Sequence, residues 1–187
     1  HGMALVGVGD LYGFVDWANT LVIGASFEDA SGFDALGWAC VCRNSKYFFI
    51  DVFGRVVMEV PYSHADPFSE NLAHVSQCGR SGYINRYGNI VIDLEYDDGS
   101  ACAESLVGVS RGLKWGFLDS EGHMAIDWTF ENVTPFSSGF ASVCVDGKWG
   151  VIRKNGQVVL PYEFDEALEI YGLLVRSIRD GVVQWSL

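Results

Sequence analysis

Cysteine and histidine are the residues of this sequence that could hold a metal ion or supply a nucleophile. Cys40 and Cys42 form a Cys-x-Cys pair, and the nearest histidines along the chain are His64 and His74. A zinc site built from cysteines usually combines two such pairs, and the other three cysteines stand alone. A buried cysteine packs like a small apolar residue. We therefore predict core cysteines, with no metal ion and no cofactor.

Catalytic motifs are absent from the sequence. It contains no nucleophile elbow, no zinc signature and no phosphate-binding glycine loop. Gly7-Val8-Gly9 lacks the third glycine and the following helical pattern of a dinucleotide-binding turn. We therefore predict that the protein is not an enzyme. A site assembled from distant segments stays a minority hypothesis, which requires His74 to lie beside Cys40 and a carboxylate in one cleft.

Acidic side chains recur in adjacent pairs of positions about every 34 residues. Carboxylates occupy the first position in four of five copies and the second position in three of five. These acids are Glu28, Asp29, Asp97, Asp98, Glu131, Asp165 and Glu166. Equivalent positions of a repeat share one face, so the acids are predicted to form a stripe that attracts a cationic partner. The alternative is structural, because an acid that follows a strand often caps a turn.

Tryptophan supplies the other candidate contact residues. Four tryptophans lie outside the recurring Trp-Gly pair described below, namely Trp17, Trp38, Trp128 and Trp185. Most of them are expected to pack in the core. Trp38 and Trp128 are flanked by Gly37 and Asp127, and we predict these two as binding anchors.

All these side chains are positioned by a tandem repeat of 34 or 35 residues. Its clearest marks are Lys114-Trp115-Gly116 and Lys148-Trp149-Gly150. The glycine of this pair belongs to the series Gly13, Phe48, Gly82, Gly116 and Gly150. An aromatic series runs Phe27, Tyr62, Tyr96, Phe130 and Phe164. A third series runs Phe33, Phe68, Cys102, Phe136 and Ile170, and a fourth runs Asn19, Gly54, Gly88, Gly122 and Gly156. A fixed period of this length indicates one small unit copied in tandem.

The registers also indicate local structure. Exchange of glycine for asparagine in the fourth series is typical of a turn position with positive φ. Cys102 stands where other copies carry phenylalanine, which indicates a core position. The histidines at 64, 74 and 123 fall at three unrelated positions of the repeat.

Each unit has the pattern of three short strands. Asp146-Gly147 and Asn155-Gly156 separate runs rich in β-branched residues, which predicts two tight hairpin turns. The unit is thus a three-stranded antiparallel meander, followed by a connection of about a dozen residues and no helix longer than one turn. Asp180-Gly181 marks a terminal hairpin. We predict one all-β domain over residues 3–187, with five full units and a C-terminal hairpin in a propeller-like array. The alternative is an open β-solenoid-like spiral.

The units resemble the WG-repeat (KWG) family, whose pattern is Lys-Trp-Gly-aromatic-Ile-Asp, a glycine turn, then Pro-Phe and Gly-Leu-Ala. The best matches are Trp115-Gly116-Phe117-Leu118-Asp119, Pro135-Phe136-Ser137-Ser138-Gly139-Phe140-Ala141 and Trp149-Gly150. The first unit and the unit around Gly82 have lost the tryptophan and match by spacing. The resemblance implies a non-catalytic, mostly bacterial β-repeat used for interactions, and it brings no catalytic residues.

Bulk composition narrows the class of partner. The chain has 187 residues, five cysteines and a formal net charge of −12. That charge disfavours nucleic acid and anionic membranes and favours a basic protein. No apolar run approaches the ~18 residues that span a bilayer. The odd cysteine count, and a start without a basic signal-peptide segment, favour the cytoplasm. His1-Gly2, before Met3, is interpreted as the remnant of an expression tag.

Two functional classes follow. The first is a non-catalytic protein–protein interaction module, in its most concrete form an acidic inhibitor or immunity-type protein that neutralises a basic partner such as a toxin. The alternative is a lectin-like binder of small molecules or glycans, with a pocket between repeats. Aromatic platforms and weak salt dependence are expected of the second class.

Overall fold

The computed structural model describes residues 2–171, 174–179 and 182–186, and these residues form 22 β-strands without a helix. The strands lie in six separate antiparallel sheets that follow one another along the chain. Sheet 1 contains β1 (Met3–Val8), β2 (Leu11–Asp16) and β3 (Leu21–Phe27). Sheet 2 contains β4 (Asp29–Ala30), β5 (Trp38–Arg43), β6 (Lys46–Asp51) and β7 (Val56–Val60). Sheet 3 contains β8 (His64–Ala65), β9 (Leu72–Gln77), β10 (Arg80–Asn85) and β11 (Ile90–Tyr96).

The remaining strands repeat this arrangement. Sheet 4 contains β12 (Asp98–Gly99), β13 (Leu106–Arg111), β14 (Lys114–Asp119) and β15 (Met124–Phe130). Sheet 5 contains β16 (Asn132–Val133), β17 (Phe140–Val145), β18 (Lys148–Arg153) and β19 (Val158–Phe164). Sheet 6 contains β20 (Glu169–Tyr171), β21 (Leu174–Arg179) and β22 (Val182–Ser186). The predicted all-β repeat array, with five meanders and a final hairpin, is confirmed. The Asp180-Gly181 turn and the side chain of Trp185 lie outside the described part of the chain.

A short strand in each connection was missed by the sequence pattern. The connection was predicted as irregular, but two of its residues pair with the end of the next long strand. In sheet 4, for example, Asp98 pairs with Ser110 and Gly99 with Val109. Sheets 2 to 5 therefore have four strands rather than three. A two-residue strand shows no alternation of polar and apolar residues, so its sequence carried no signal.

The glycine of the Trp-Gly pair makes room for a β-bulge. In sheet 4, Trp115 pairs with Phe130 whereas Phe117 pairs with Ile126, so two extra residues of β15 lie opposite Gly116. A Cβ added to Gly116 would lie 2.7 Å from the carbonyl oxygen of Ile126. The same close approach occurs at Gly13, Gly82 and Gly150. Only glycine fits opposite such a bulge.

Sheet 2 lacks this bulge. Phe48 occupies the glycine position and pairs directly with Glu59, and Tyr47 pairs with Val60. Strand β7 is accordingly five residues long, whereas β3, β11, β15 and β19 each have seven. Pro61 and Tyr62 therefore lie beyond the end of the strand.

The core lies between successive sheets. Phe49, Phe68, Val75 and Ile84, for example, form one buried cluster between sheets 2 and 3. The fourth repeat series has positive φ at every member, from Asn19 at 62° to Gly122 at 92°, which confirms the turn prediction.

All five cysteines are free, and four of them are buried, namely Cys40, Cys42, Cys102 and Cys144. This confirms the predicted core position of Cys102. The described residues include no helix that is long and apolar enough to cross a bilayer.

Candidate functional site

One repeat position carries a different chemistry in sheet 3. In sheets 4 and 5 a hydroxyl after the short strand accepts a hydrogen bond from the backbone N–H of the next long strand. Ser100 accepts from Gly108 at 2.8 Å, and Thr134 accepts from Ser142 at 3.0 Å. Ser31 and Cys40 form the same contact in sheet 2 at 2.9 Å. In sheet 3 the equivalent residues are Asp66 and His74. Here the Asp66 side chain contacts the imidazole rings of His64 and His74.

His64, Asp66 and His74 form a side-chain network that we call the His–Asp–His cluster. The Asp66 Oδ2 atom lies 2.7 Å from Nδ1 of His74, and Oδ1 lies 3.1 Å from Nε2 of His64. The other ring nitrogen of His64, Nδ1, lies 3.0 Å from the hydroxyl of Tyr47. One carboxylate thus joins two imidazoles, and a tyrosine orients the outer one.

Burial differs strongly across the cluster. The His74 side chain is only 7% exposed, while those of Asp66 and His64 are 46% and 41% exposed. The Nε2 atom of His74 is buried and has no hydrogen-bond partner among the described residues. Hydrogen bonding from His74 lowers the pKa of Asp66, which outweighs the opposing effect of burial. Burial, reinforced by nearby acidic groups, raises the pKa of Tyr47 to about 12.

Two hollows meet at Tyr47. One has a volume of about 190 Å³ and is lined by residues that include Asp29, Ser31, Cys40 and Asp66. The other is a groove of about 460 Å³ beside strand β7, with a lining that includes Phe48, Glu59, Pro61, Tyr62 and Gln77. The second hollow exists where Pro61 and Tyr62 have left the sheet.

Cys40 lies near the cluster as a neutral thiol. Its Sγ atom donates to the carbonyl oxygen of Ala65 at 3.3 Å. Burial, together with the charge of Asp66, raises the pKa of Cys40 to about 12. A thiol with that pKa is a poor nucleophile and a poor metal ligand at neutral pH.

The first acidic position of the repeat fixes hairpin turns. Glu28 accepts backbone N–H bonds from Asn44 and Ser45 at 2.9 and 3.0 Å. Asp97 accepts from Gly112 at 2.6 Å, and Glu131 accepts from Gly147 at 2.9 Å. Each acid therefore caps the first hairpin turn of the sheet that follows it.

Basic side chains lie beside two of these acids. Arg80 pairs with Asp97 at 2.8 Å, and Lys148 pairs with Asp165 at 2.5 Å. The acids at the second position, Asp29, Asp98 and Glu166, are exposed.

The two tryptophans predicted as anchors are half-buried. Trp38 packs against Phe49 and Phe68, and the guanidinium of Arg86 lies 5.2 Å from its ring. Trp128 packs against Tyr96, with ring centroids 5.8 Å apart, and Arg111 lies 5.4 Å from its ring. Both rings thus contribute to the sheet packing and remain partly exposed.

Other aromatic rings are far more exposed. Trp17 is 91% exposed, Phe53 73% and Tyr87 88%. They occupy the turn between the second and third long strands in sheets 1, 2 and 3, and we call them the aromatic turn row. Exposed apolar residues also lie at the start of each third strand, namely Leu21, Val22, Val56, Val57 and Ile90 in these sheets and Met124, Val158 and Val159 in sheets 4 and 5. In sheets 4 and 5 the same turns carry Glu121 and Asn155.

Sequence reasoning missed Asp66, Tyr47 and two rings of the aromatic turn row. A signal was present for Asp66, because it replaces the hydroxyl residues Ser31, Ser100 and Thr134 of other units. The histidines fall at unrelated positions of the repeat, yet His64 and His74 lie on neighbouring paired strands, β8 and β9.

Comparison with known proteins identifies the repeat. A family model described as "WG containing repeat" matches residues 12–47, 82–112, 115–149 and 149–172, which is more than half of the chain. No curated protein matches the sequence.

Solved structures share the fold at low sequence identity. The crystal structure of a eukaryotic initiation factor matches with a TM-score of 0.68 and 9% identity, covering 97% of this chain and 58% of that chain. Hsv2p of Kluyveromyces lactis matches with a TM-score of 0.63 and 10% identity, covering 96% of this chain and 68% of that chain. The chain thus spans little more than half of the initiation-factor chain. These likenesses show a propeller-like arrangement of sheets and nothing about activity.

Proposed function

Since this chain belongs to the family of WG-containing repeats, a β-repeat protein that mediates protein interactions, we propose that it is an acidic inhibitor that binds a basic protein partner. The observation that carries the proposal is the aromatic turn row. Three large rings are more than two-thirds exposed at equivalent turns of three successive sheets. Exposed apolar residues grouped in this way are typical of protein contact surfaces.

The aliphatic residues beside these rings enlarge the surface. Val56 and Val57 follow Phe53, and Ile90 follows Tyr87, each about half exposed. Aromatic rings bury much area and lose little conformational freedom on binding. A contact patch of roughly 800 Å² per partner is the usual size for a stable complex.

Charge selects the class of partner. The chain carries a formal net charge of −12, and Asp29, Asp98 and Glu166 are exposed at equivalent positions. Such a field accelerates association with a basic protein and opposes association with nucleic acid or anionic lipid. In this proposal the protein acts in the cytoplasm as an immunity-type inhibitor of a basic toxin or nuclease.

The groove beside β7 favours a second candidate function. Tyr47, Phe48 and Tyr62 give it aromatic walls, and Glu59 and Gln77 supply polar groups. Aromatic faces with a few hydrogen-bonding groups are suited to a sugar ring or another small polar molecule. A lectin-like binder would use this groove and leave the aromatic turn row unoccupied.

The test begins with affinity capture from the source organism, at low salt and at ~0.5 M salt, where long-range attraction is screened. Each captured protein is then purified and its binding measured directly. We expect one basic protein whose Kd rises at least about tenfold when Trp17, Phe53 and Tyr87 are changed to serine. Asp29→Asn, Asp98→Asn and Glu166→Gln together should slow association and leave dissociation unchanged.

The matched control changes the equivalent turns of the other sheets, with Glu121→Ser and Asn155→Ser. These substitutions should leave the Kd unchanged. A Kd that changes neither with the aromatic substitutions nor with salt concentration would overturn the proposal. Binding of a glycan that is abolished by Tyr62→Ala would favour the lectin-like function.

A further inference from the structure

We propose that His64, Asp66 and His74 form a binding site for a divalent transition-metal ion of the Zn²⁺, Co²⁺ or Ni²⁺ class. Each residue offers one ligand atom, and these atoms lie within 4.8 Å of one another. The proposal concerns a site separate from the aromatic turn row and does not depend on the proposed function.

The donor set suits this class of ion. Two imidazole nitrogens and one carboxylate oxygen are typical ligands of zinc and of related borderline ions. Ligand atoms around a tetrahedral ion at about 2.1 Å lie about 3.4 Å apart. Asp66 already lies 2.7 Å from His74 and 3.1 Å from His64. Small side-chain rotations would therefore open the network around an ion, which would displace the bridging protons.

A supporting contact orients the outer ligand. The Tyr47 hydroxyl lies 3.0 Å from Nδ1 of His64. When Nε2 of a histidine binds a metal, its proton resides on Nδ1 and needs an acceptor. The hydroxyl of Tyr47 is placed to be that acceptor, which turns Nε2 of His64 toward Asp66.

The site has an open side. Asp66 and Tyr47 line the hollow of about 190 Å³ between the short strands β4 and β8. Asp66 and His64 are both partly exposed, so an ion can enter and retain a coordination position for water or another ligand.

The repeat supplies an independent argument. The neighbouring units satisfy these positions with hydroxyl–backbone hydrogen bonds, as at Ser100 and Gly108. In sheet 3 three positions have changed together, and the exchange leaves Nε2 of His74 buried without a partner among the described residues. A buried unpartnered nitrogen destabilises the fold. The donors that converge are Nδ1 of His74, Nε2 of His64 and the Asp66 carboxylate, and a metal ion would explain why these three replace the hydroxyl–backbone contact of the other units.

The test uses a chain in which the cluster holds the only histidines. The sequence has four histidines, so the variant His1→Ala/His123→Ala retains only His64 and His74. His123 is a suitable residue to remove because it also lies near two carboxylates, Asp119 at 3.2 Å and Glu121 at 3.8 Å, at an exposed site. The metal-free protein is titrated with Co²⁺ by visible absorption and with Zn²⁺ by calorimetry.

We expect one equivalent of Co²⁺ with the spectrum of nitrogen and oxygen ligation. Asp66→Ser and His74→Ser restore residues that other units carry at these positions, so the variants should fold. Each should weaken binding at least about tenfold, and Tyr47→Phe should weaken it roughly tenfold. A thiolate charge-transfer band, or binding that persists in both serine variants with their circular dichroism unchanged, would overturn the proposal. Absence of stoichiometric binding in the His1→Ala/His123→Ala chain would overturn it as well.

Discussion

Sheets 2 and 3 share their strand order with sheets 4 and 5 but differ from them in chemistry. Sheets 4 and 5 keep the Trp-Gly pair, its bulge and the hydroxyl–backbone contact. Sheet 2 replaces the glycine with Phe48 and loses the bulge, and sheet 3 holds the His–Asp–His cluster. Two rings of the aromatic turn row, Phe53 and Tyr87, belong to the same half of the chain.

This contrast separates two kinds of constraint. Sheets 4 and 5, which we call the regular half, show which residues the fold requires, since both have the same contacts at the same positions. Sheets 2 and 3, which we call the irregular half, show where some of these contacts have been replaced. Hollows, an unpartnered nitrogen and exposed rings occur there together, which is where binding chemistry is expected in a repeat protein.

The largest expected difference in stability between the halves concerns one repeat position that carries a basic residue. Arg86 pairs with Asp34 at 2.5 Å in a largely buried setting, and its guanidinium lies 4.4 Å from the ring of Phe68. Two units later the same position is Lys154, which pairs with Glu104 at 3.0 Å nearer the surface. Arg86→Ala should lower the free energy of unfolding by about 3 kcal/mol, because it leaves a buried carboxylate unpaired. Lys154→Ala should lower it by less than about 1 kcal/mol. Urea unfolding of both variants measures the difference, and equal losses would contradict it.

The bulge gives a test of intermediate size. Gly116→Ala should lower the free energy of unfolding by about 2 kcal/mol, because the new methyl group would press on the carbonyl oxygen of Ile126. Gly24 lies in a strand with nothing within 4 Å of an added Cβ, so Gly24→Ala should change stability by at most about 0.5 kcal/mol. Thermal and urea unfolding would show whether the two substitutions lower the free energy of unfolding by different amounts. A Gly116→Ala variant as stable as Gly24→Ala would mean that the bulge can relax.

The smallest effect is a difference in acid sensitivity. The backbone N–H of Gly147 donates to Glu131 and holds its pKa below the ordinary value. A carboxyl whose pKa falls on folding stabilises the native state above its unfolded pKa of about 4.3, and this stabilisation is lost as pH falls through the folded pKa. The Tm of the parent chain should therefore fall more steeply than that of Glu131→Gln between about pH 5 and pH 3.

Sheet 3 provides the control for this titration. Its equivalent position is Ser63, whose hydroxyl donates to the carbonyl oxygen of Ser76 at 2.8 Å. Ser63→Ala should shift the Tm by the same amount at every pH. If Glu131→Gln also shifted the Tm by the same amount at every pH, titration of Glu131 would not contribute to the acid sensitivity.

The long strands and turns of both halves were predictable from the sequence, whereas the bulge and the His–Asp–His cluster were not. The series that contains Gly54, Gly88 and Gly122 revealed the turns, because each copy needs the same positive φ. The bulge was not predicted, since the sequence shows Gly116 but not the carbonyl that approaches it. The contact between Asp66 and His74 was also missed, because it joins side chains across a loop. Such a contact becomes visible only when each unit is compared with its neighbours.

The caps that Glu28, Asp97 and Glu131 place on the following hairpin have a consequence for how the chain acquires its structure. Each of these three acids lies at the end of one unit and accepts hydrogen bonds from the turn of the next unit. During synthesis the acceptor is therefore already present when its donor emerges, so order can pass from one unit to the next in the direction of translation. The coupling is between nearest neighbours, as in a one-dimensional cooperative system. Removal of an internal unit would thus take from its successor both a packing face and the acceptor for its turn.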